Sequence, residues 1–156
     1  MKLSELLSAD LVLLPLESDD KWQAIAALAE AASAHGRWSR ERLAGVQEAL
    51  AARERSMTTG MEHGIAIPHA AVDGIPKVVG VLGLSRRGVP FEALDRQPAR
   101  IIVCLVIPRD QKLLHIKTLA EIARLLSRPA VRARLLEAET PEDALEVIRQ
   151  EEGLPR

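Results

Sequence analysis

Thr58-Thr59-Gly60-Met61-Glu62-His63-Gly64-Ile65-Ala66-Ile67-Pro68-His69-Ala70 is the stretch on which the reading of the chain turns. It passes from a small, glycine-punctuated segment into a short β-branched run, then meets a proline and a histidine. Gly60 and Gly64 suit tight backbone turns. Ile65-Ala66-Ile67 reads as a short buried strand, and Pro68 biases Ile67 toward extended geometry. Proline has a fixed φ and no N–H, so the strand is expected to stop there, with His69 on its rim. An imidazole on a rigid strand end is well placed for chemistry.

Upstream, Leu3 to Leu7 allows a short helical turn, and Leu11 to Leu14 reads as a strand closed by Pro15. Ser18, with Asp19 and Asp20 behind it, is an N-cap candidate with acidic residues at the positive end of a helix dipole. Trp22, Ile25, Ala26, Ala29 and Ala32 recur at helical spacing up to Gly36. A second helix starts at Ser39 and carries Leu43, Val46 and Leu50. Arg42 stands where a capping box needs Glu or Gln. This helix is expected to run out near Arg53.

Downstream, 72–76 is a loop by composition, and Val78 to Leu84 is apolar on both faces, as a central strand is. Arg86-Arg87-Gly88-Val89-Pro90 is expected to break it. Ile101 to Ile107 is the strongest strand, ended by Pro108. The remainder reads as helices: one with Ile116, Leu119, Ala120, Ala123 and Leu126 on a face, one starting at Pro129, and one capped by Thr140 with Pro141 at its first position. Helices before, between and after strands apolar on both sides imply a sheet covered on both faces. The expectation is a single α/β domain over 1–156, a mixed β-sheet flanked by helices.

Composition narrows the function. With 156 residues, 47% hydrophobic, 28% charged and a formal net charge of -1, the chain has the balance of a soluble globular protein. That charge gives no reason to expect nucleic acid as the main partner. No apolar run approaches the roughly 20 residues of a membrane span, and the N-terminus is not a signal peptide. A lone cysteine, Cys104, excludes an internal disulfide and suits a reducing, cytoplasmic compartment. Aromatics at 2% leave almost no stacking platform for bases or sugars. Neither a P-loop nor a G-x-S-x-G elbow is present, and no cofactor motif is found.

The histidines are His35, His63, His69 and His115. His35 sits at a helix end, where it complements the dipole. His69 and His115 both follow apolar strands, at the kind of sheet edge where functional groups gather. A neutral imidazole nitrogen is nucleophilic near pH 7 without activation, so the two could act as nucleophile and orienting partner. Pattern alone equally allows two unrelated histidines on separate loops. Arg53, just ahead of the motif, suggests a phosphoryl group, because its planar donor fork matches phosphate oxygens, or else an ordinary solvated helix face. A zinc site from His63, His69 and His115 lacks any ligand-spacing signature.

Arg53-Glu54, Thr59-Gly60, Gly64-Ile65-Ala66-Ile67-Pro68-His69, Pro90 to Asp95, Pro98, Ile107-Pro108 and His115 to Leu119 together resemble the enzyme IIA domains of the fructose/mannitol type. These belong to the bacterial phosphoenolpyruvate-dependent phosphotransferase system and include the nitrogen-regulatory IIA proteins. The resemblance implies a single α/β domain. It implies that His69 accepts a phosphoryl group from an HPr-type histidine phosphocarrier and passes it on, in sugar-specific members to an IIB domain. His115 maps onto the second active-site histidine, which helps to hold the phosphoryl group, and Arg53 onto an arginine pairing with the phosphate or a partner. Met57, Met61 and Ile65 are candidates for an apolar docking rim or for core. The alternative is a regulatory protein whose phosphorylation state controls a kinase, transporter or channel, toward which the absence of IIB and membrane segments leans. The chain departs from the family at Glu62-His63, where a small residue and asparagine are common, and at Ala70-Ala71, where glycine is frequent. Glu62 and His63 are expected to be exposed loop residues rather than part of the site.

Overall fold

The β-branched run 101–107 forms the central strand of the sheet, its side chains buried on both faces. The structure, a computed structural model, describes residues 1–153. The last three residues of the expected 1–156 span lie outside the described residues. In chain order the elements are α1 (Leu3–Leu6), a 3₁₀ turn (Ala9–Leu11), β1 (Val12–Leu13), α2 (Lys21–Ala34) and α3 (Arg40–Ser56). The strands β2 (Gly60–Met61), β3 (Ile65–Ala66), β4 (His69–Val72), β5 (Val79–Val89) and β6 (Ala99–Pro108) come next. Helices α4 (Lys112–Leu126), α5 (Pro129–Glu137) and α6 (Pro141–Glu152) complete the described chain.

The sheet order is β1-β5-β6-β3-β2, with β4 also paired to β6. Pairs β1–β5, β3–β6 and β4–β6 are parallel, while β5–β6 and β2–β3 are antiparallel. The sheet is therefore mixed, as expected. Helices cover both faces. A Cβ on Gly80 would meet Leu6 of α1, whereas one on Gly83 would meet Leu28 of α2. An odd separation along one strand puts these positions on opposite sides. Helices α2 and α3 pack together on one side, and α1, α4, α5 and α6 contact one another.

Several local expectations are corrected. Strand β5 does not break at Arg86 but continues to Val89 through a register irregularity after Leu84, with Gly88 at φ 86°. Strand β1 is only two residues long, because Ala9–Leu11 winds into the 3₁₀ turn. The cap of α2 is Asp20, whose carboxylate accepts from the Gln23 N–H, rather than Ser18. Ile25, Ala29 and Ala32 are buried as expected, but Trp22, expected in the core, is 41% exposed, and Lys21 is buried. Along α4 the buried face is Thr118, Ile122, Leu125 and Leu126, while Ile116 faces outward.

The most consequential correction concerns Pro68. Ile65 lies opposite Ile101 and His69 opposite Leu105, so the parallel register with β6 is the same before and after the proline. The strand pauses rather than stops. Pro68 has no N–H to give, but its carbonyl accepts from Leu105 N–H at 2.9 Å. Among the described residues β4 has only β6 as a neighbour, and an edge strand tolerates a missing donor. His69 is thereby a sheet residue instead of a loop residue on the rim.

Candidate functional site

His69 opens β4, half-buried, in a strand whose alternate residues Ala70 and Val72 face the core. Its Nδ1 lies 2.8 Å from the carbonyl oxygen of Ile67. A carbonyl can only accept, so Nδ1 carries the hydrogen and Nε2 keeps its lone pair. The backbone thus selects the tautomer whose nucleophilic nitrogen is Nε2. Burial holds the ring's pKa below the ordinary histidine value of 6.5, and the Arg53 charge pushes the same way, against the opposing effect of the Ile67 hydrogen bond. The neutral, nucleophilic form is favoured.

His115 comes from the first turns of α4, directly after β6 ends. Its ring meets that of His69 edge to face, with centroids 5.2 Å apart and planes at 74°. Burial, then the His69 and Arg53 charges, lower its pKa as well. Its Nε2 is buried and has no hydrogen-bond partner among the described residues. Such an unpartnered polar atom is costly unless a ligand group satisfies it.

Arg53 stands in the last turn of α3, where cationic side chains complement the dipole. Its Nη1 donates to the Met57 carbonyl at 2.8 Å. With Thr58, Thr59, Gly60, Met61, Ile67, His69, Leu119 and Ala123 it lines a shallow cavity of about 230 Å³. A larger cleft of about 630 Å³ lies elsewhere, between 14–17, 85–87 and Glu139, and contains none of the histidines.

The structure therefore brings His69, His115 and Arg53 together and leaves the other two histidines out. His63 is at the tip of the β2–β3 hairpin with φ 70°, its N–H donating to Asp95 Oδ2 at 2.9 Å. Its ring and the Glu62 carboxylate are both largely exposed and 3.9 Å apart. The left-handed conformation accounts for the asparagine common there, because Asn, Asp and His adopt it more readily than other side chains. His35 caps α2 and sits 3.2 Å from Asp10. No cluster of three His, Cys, Asp or Glu side chains among the described residues is arranged to hold a metal ion. Of the three candidates for a docking rim, Met57 and Met61 are exposed, at 68% and 38%, but Ile65 is core at 2%. Leu113 and Ile116, flanking His115 on α4, are exposed apolar residues; the sequence pattern does not single out Leu113 and puts Ile116 on the helix's apolar face.

Other contributors lie in the quoted motifs without a role assigned to them. Thr58 and Thr59, which open the motif, line the cavity. Glu54, buried, is visible as part of the Arg53-Glu54 pair. Leu119 and Ala123, expected on a buried face of α4, instead help to line the cavity.

Residues 5–151 match the family described as the phosphoenolpyruvate-dependent sugar phosphotransferase system, EIIA 2. The chain is 31% identical over 150 residues to the PTS system fructose-specific EIIABC component of Bacillus subtilis, covering 96% of this chain but only 23% of that protein. It is 35% identical over 127 residues to the nitrogen regulatory protein of Bradyrhizobium diazoefficiens, covering 81% of this chain and 80% of the relative. The crystal structure of the nitrogen regulatory protein IIA-Ntr from Neisseria meningitidis superposes with a TM-score of 0.85 at 26% identity, over 94% of this chain and 98% of that one.

Proposed function

The chain belongs to the EIIA type 2 family of the phosphoenolpyruvate-dependent sugar phosphotransferase system, and from that premise we propose that it is a phosphohistidine carrier with His69 as the phosphoacceptor. The observation that carries the reading is the Nδ1 bond to the Ile67 carbonyl, which leaves Nε2 as the nucleophile beside His115 and Arg53.

The transfer is in line. The His69 Nε2 lone pair forms a new N–P bond as the N–P bond to the donor imidazole, on an HPr-type phosphocarrier, breaks; the electron pair returns to the donor ring. In the loose transition state of such transfers negative charge is spread over the three equatorial oxygens. Arg53 supplies fixed positive charge and His115 Nε2 supplies a donor when its ring carries hydrogen there. The Nδ1 hydrogen of His69 stays on the ring, donated to the Ile67 carbonyl, so no separate base is required. The product is an acidic phosphoryl group held on a half-buried strand, ready for a second acceptor such as an IIB domain.

A second reading concerns the use made of the phosphorylated chain. The Bradyrhizobium relative, similar over four-fifths of both chains, and the Neisseria structure both carry nitrogen-regulatory names. They favour a chain whose phosphorylation state is read by a regulatory target. In both readings His69 is loaded first.

One experiment tests both. The protein is incubated with enzyme I, an HPr-type carrier and labelled phosphoenolpyruvate, and then with candidate IIB domains. Label is expected on the wild type and absent from His69→Ala. Label on His69→Ala overturns the assignment. Onward transfer to a IIB domain selects the uptake reading, and a stable phosphoprotein without an acceptor selects regulation.

A further inference from the structure

Two charged side chains lie deep in the fold without a part in the transfer chemistry. Lys21, at the start of α2, has a side chain only 6% exposed, and that of Glu54, in the last turn of α3, is fully buried. The Lys21 Nζ is 4.0 Å from Glu54 Oε2 and 3.0 Å from Glu92 Oε1. The Glu54 carboxylate accepts from the Thr59 N–H at 2.6 Å and from Thr59 Oγ1 at 2.5 Å. Thr58 Oγ1 donates to the Phe91 carbonyl, in the same loop as Glu92. One network therefore ties the start of α2, the end of α3, the approach to β2 and the β5–β6 loop.

Burying such charges is costly, and apolar residues of similar volume often hold a fold as well or better. Hydrogen bonds, unlike apolar contacts, fix direction. Here the direction fixed is that of the α3 end. Glu54 comes directly after Arg53 on the last turn of α3, a place where helices fray. Thr59 leads into β2, which pairs with β3, whose register runs on through Pro68 to His69. Thr59 also lines the cavity shared by Arg53 and His69. The Glu54–Thr59 bonds thus join the element carrying the guanidinium to the hairpin carrying the nucleophile.

We propose that Glu54, held in place by Lys21, is a positioning residue for phosphoryl transfer, fixing the end of α3 so that Arg53 faces His69. This rests on the reading of His69 as phosphoacceptor. Neither Glu54 nor Lys21 touches the phosphoryl group; they act through Arg53.

The test compares the wild type with Glu54→Gln, Lys21→Met, Thr59→Val and Thr59→Ser. An HPr-type carrier phosphorylated by enzyme I is the donor, and His69 is titrated in parallel by NMR. Thr59→Val removes one hydrogen bond at nearly constant volume and leaves both charges in place, so it reports even where a charge variant fails to fold. Glu54→Gln and Thr59→Val are expected to lower kcat roughly ten- to a hundredfold, the scale of a small misplacement of a catalytic group, with KM for the carrier unchanged. The His69 pKa is expected to rise slightly as the Arg53 charge moves away, burial still holding it below 6.5, and Thr59→Ser is expected to recover most of the loss of rate. Unchanged kcat in Thr59→Val overturns the proposal, and so does a loss of rate with the His69 titration unmoved, which marks a purely structural role. Absence of label on wild-type His69 instead overturns the phosphocarrier reading, and the titration then still decides whether the network positions Arg53.

Discussion

His69 Nδ1 and the Ile67 carbonyl oxygen are 2.8 Å apart, a hydrogen bond that spans Pro68 and fixes which ring nitrogen is nucleophilic. The proline contributes by biasing Ile67, the residue before it, toward extended backbone.

Burial and the Arg53 charge both hold the His69 ring in its neutral form, so the acid limb of its phosphorylation rate is expected below pH 6.5. The same shift governs stability. His69 and His115 have folded pKa values below 6.5, so the unfolded chain binds more protons in the window from 6.5 downward. Their contribution is present above that value and is lost as pH falls toward the folded pKa values. Urea denaturation is expected to show lower stability about one pH unit below 6.5 than about one unit above it in the wild type. The difference is expected to shrink in the His69→Gln, His115→Gln double variant.

His115→Ala is expected to retain phosphorylation of His69 but to slow it by about 10²-fold, the usual loss for one transition-state donor. Rapid-quench measurement of label uptake reads this directly. Rates equal to wild type remove the role assigned to His115.

Replacing Arg53 with lysine keeps the charge but not the planar fork. Loss of one charge-assisted hydrogen bond slows transfer roughly tenfold or more. The α3 end also loses the Arg53 bond to the Met57 carbonyl. Single-turnover kinetics with the HPr-type donor check the expected loss.

At the hairpin tip, backbone conformation and chemistry separate. His63→Asn suits the left-handed backbone at φ 70° and is expected to leave transfer and stability near wild type. His63→Val is expected to cost about 1–2 kcal/mol of stability, again without effect on label uptake. A transfer defect in His63→Asn gives the imidazole a part in the chemistry that its exposed position does not suggest.

Gly60 is constrained by space rather than by φ. A Cβ there meets the Phe91 carbonyl oxygen at 2.8 Å, which is backbone and cannot rotate aside. Gly60→Ala is expected to destabilise the protein by about 1–3 kcal/mol in urea denaturation, as overpacking does. Slower transfer is expected with it, since Gly60 and His69 line one cavity.

The class of structure is legible in the amino-acid order alone, and the candidate side chains can be named from it. Continuous apolar runs such as 101–107, set among helical patterns before, between and after them, point to a sheet covered on both faces, and that reading needs no coordinates. Arg53, His69 and His115 are raised as candidates by residue type and position, which equally allow unrelated histidines and a solvated helix face; the resemblance of the surrounding motifs is what singles them out.

How these groups meet is a matter of packing. Pro68 looks terminal in the sequence because the loss of one N–H is a local fact, whereas resumption of pairing with β6 depends on a partner strand more than thirty residues away. The burial of Lys21 is invisible in the sequence because it depends on Glu54 and Glu92, which no local pattern links to it. The tautomer of His69, the edge-to-face meeting with His115 and the unpartnered Nε2 are likewise properties of distance and angle. A sequence specifies which groups are available; only packing sets the ångström-scale geometry on which their reactivity depends.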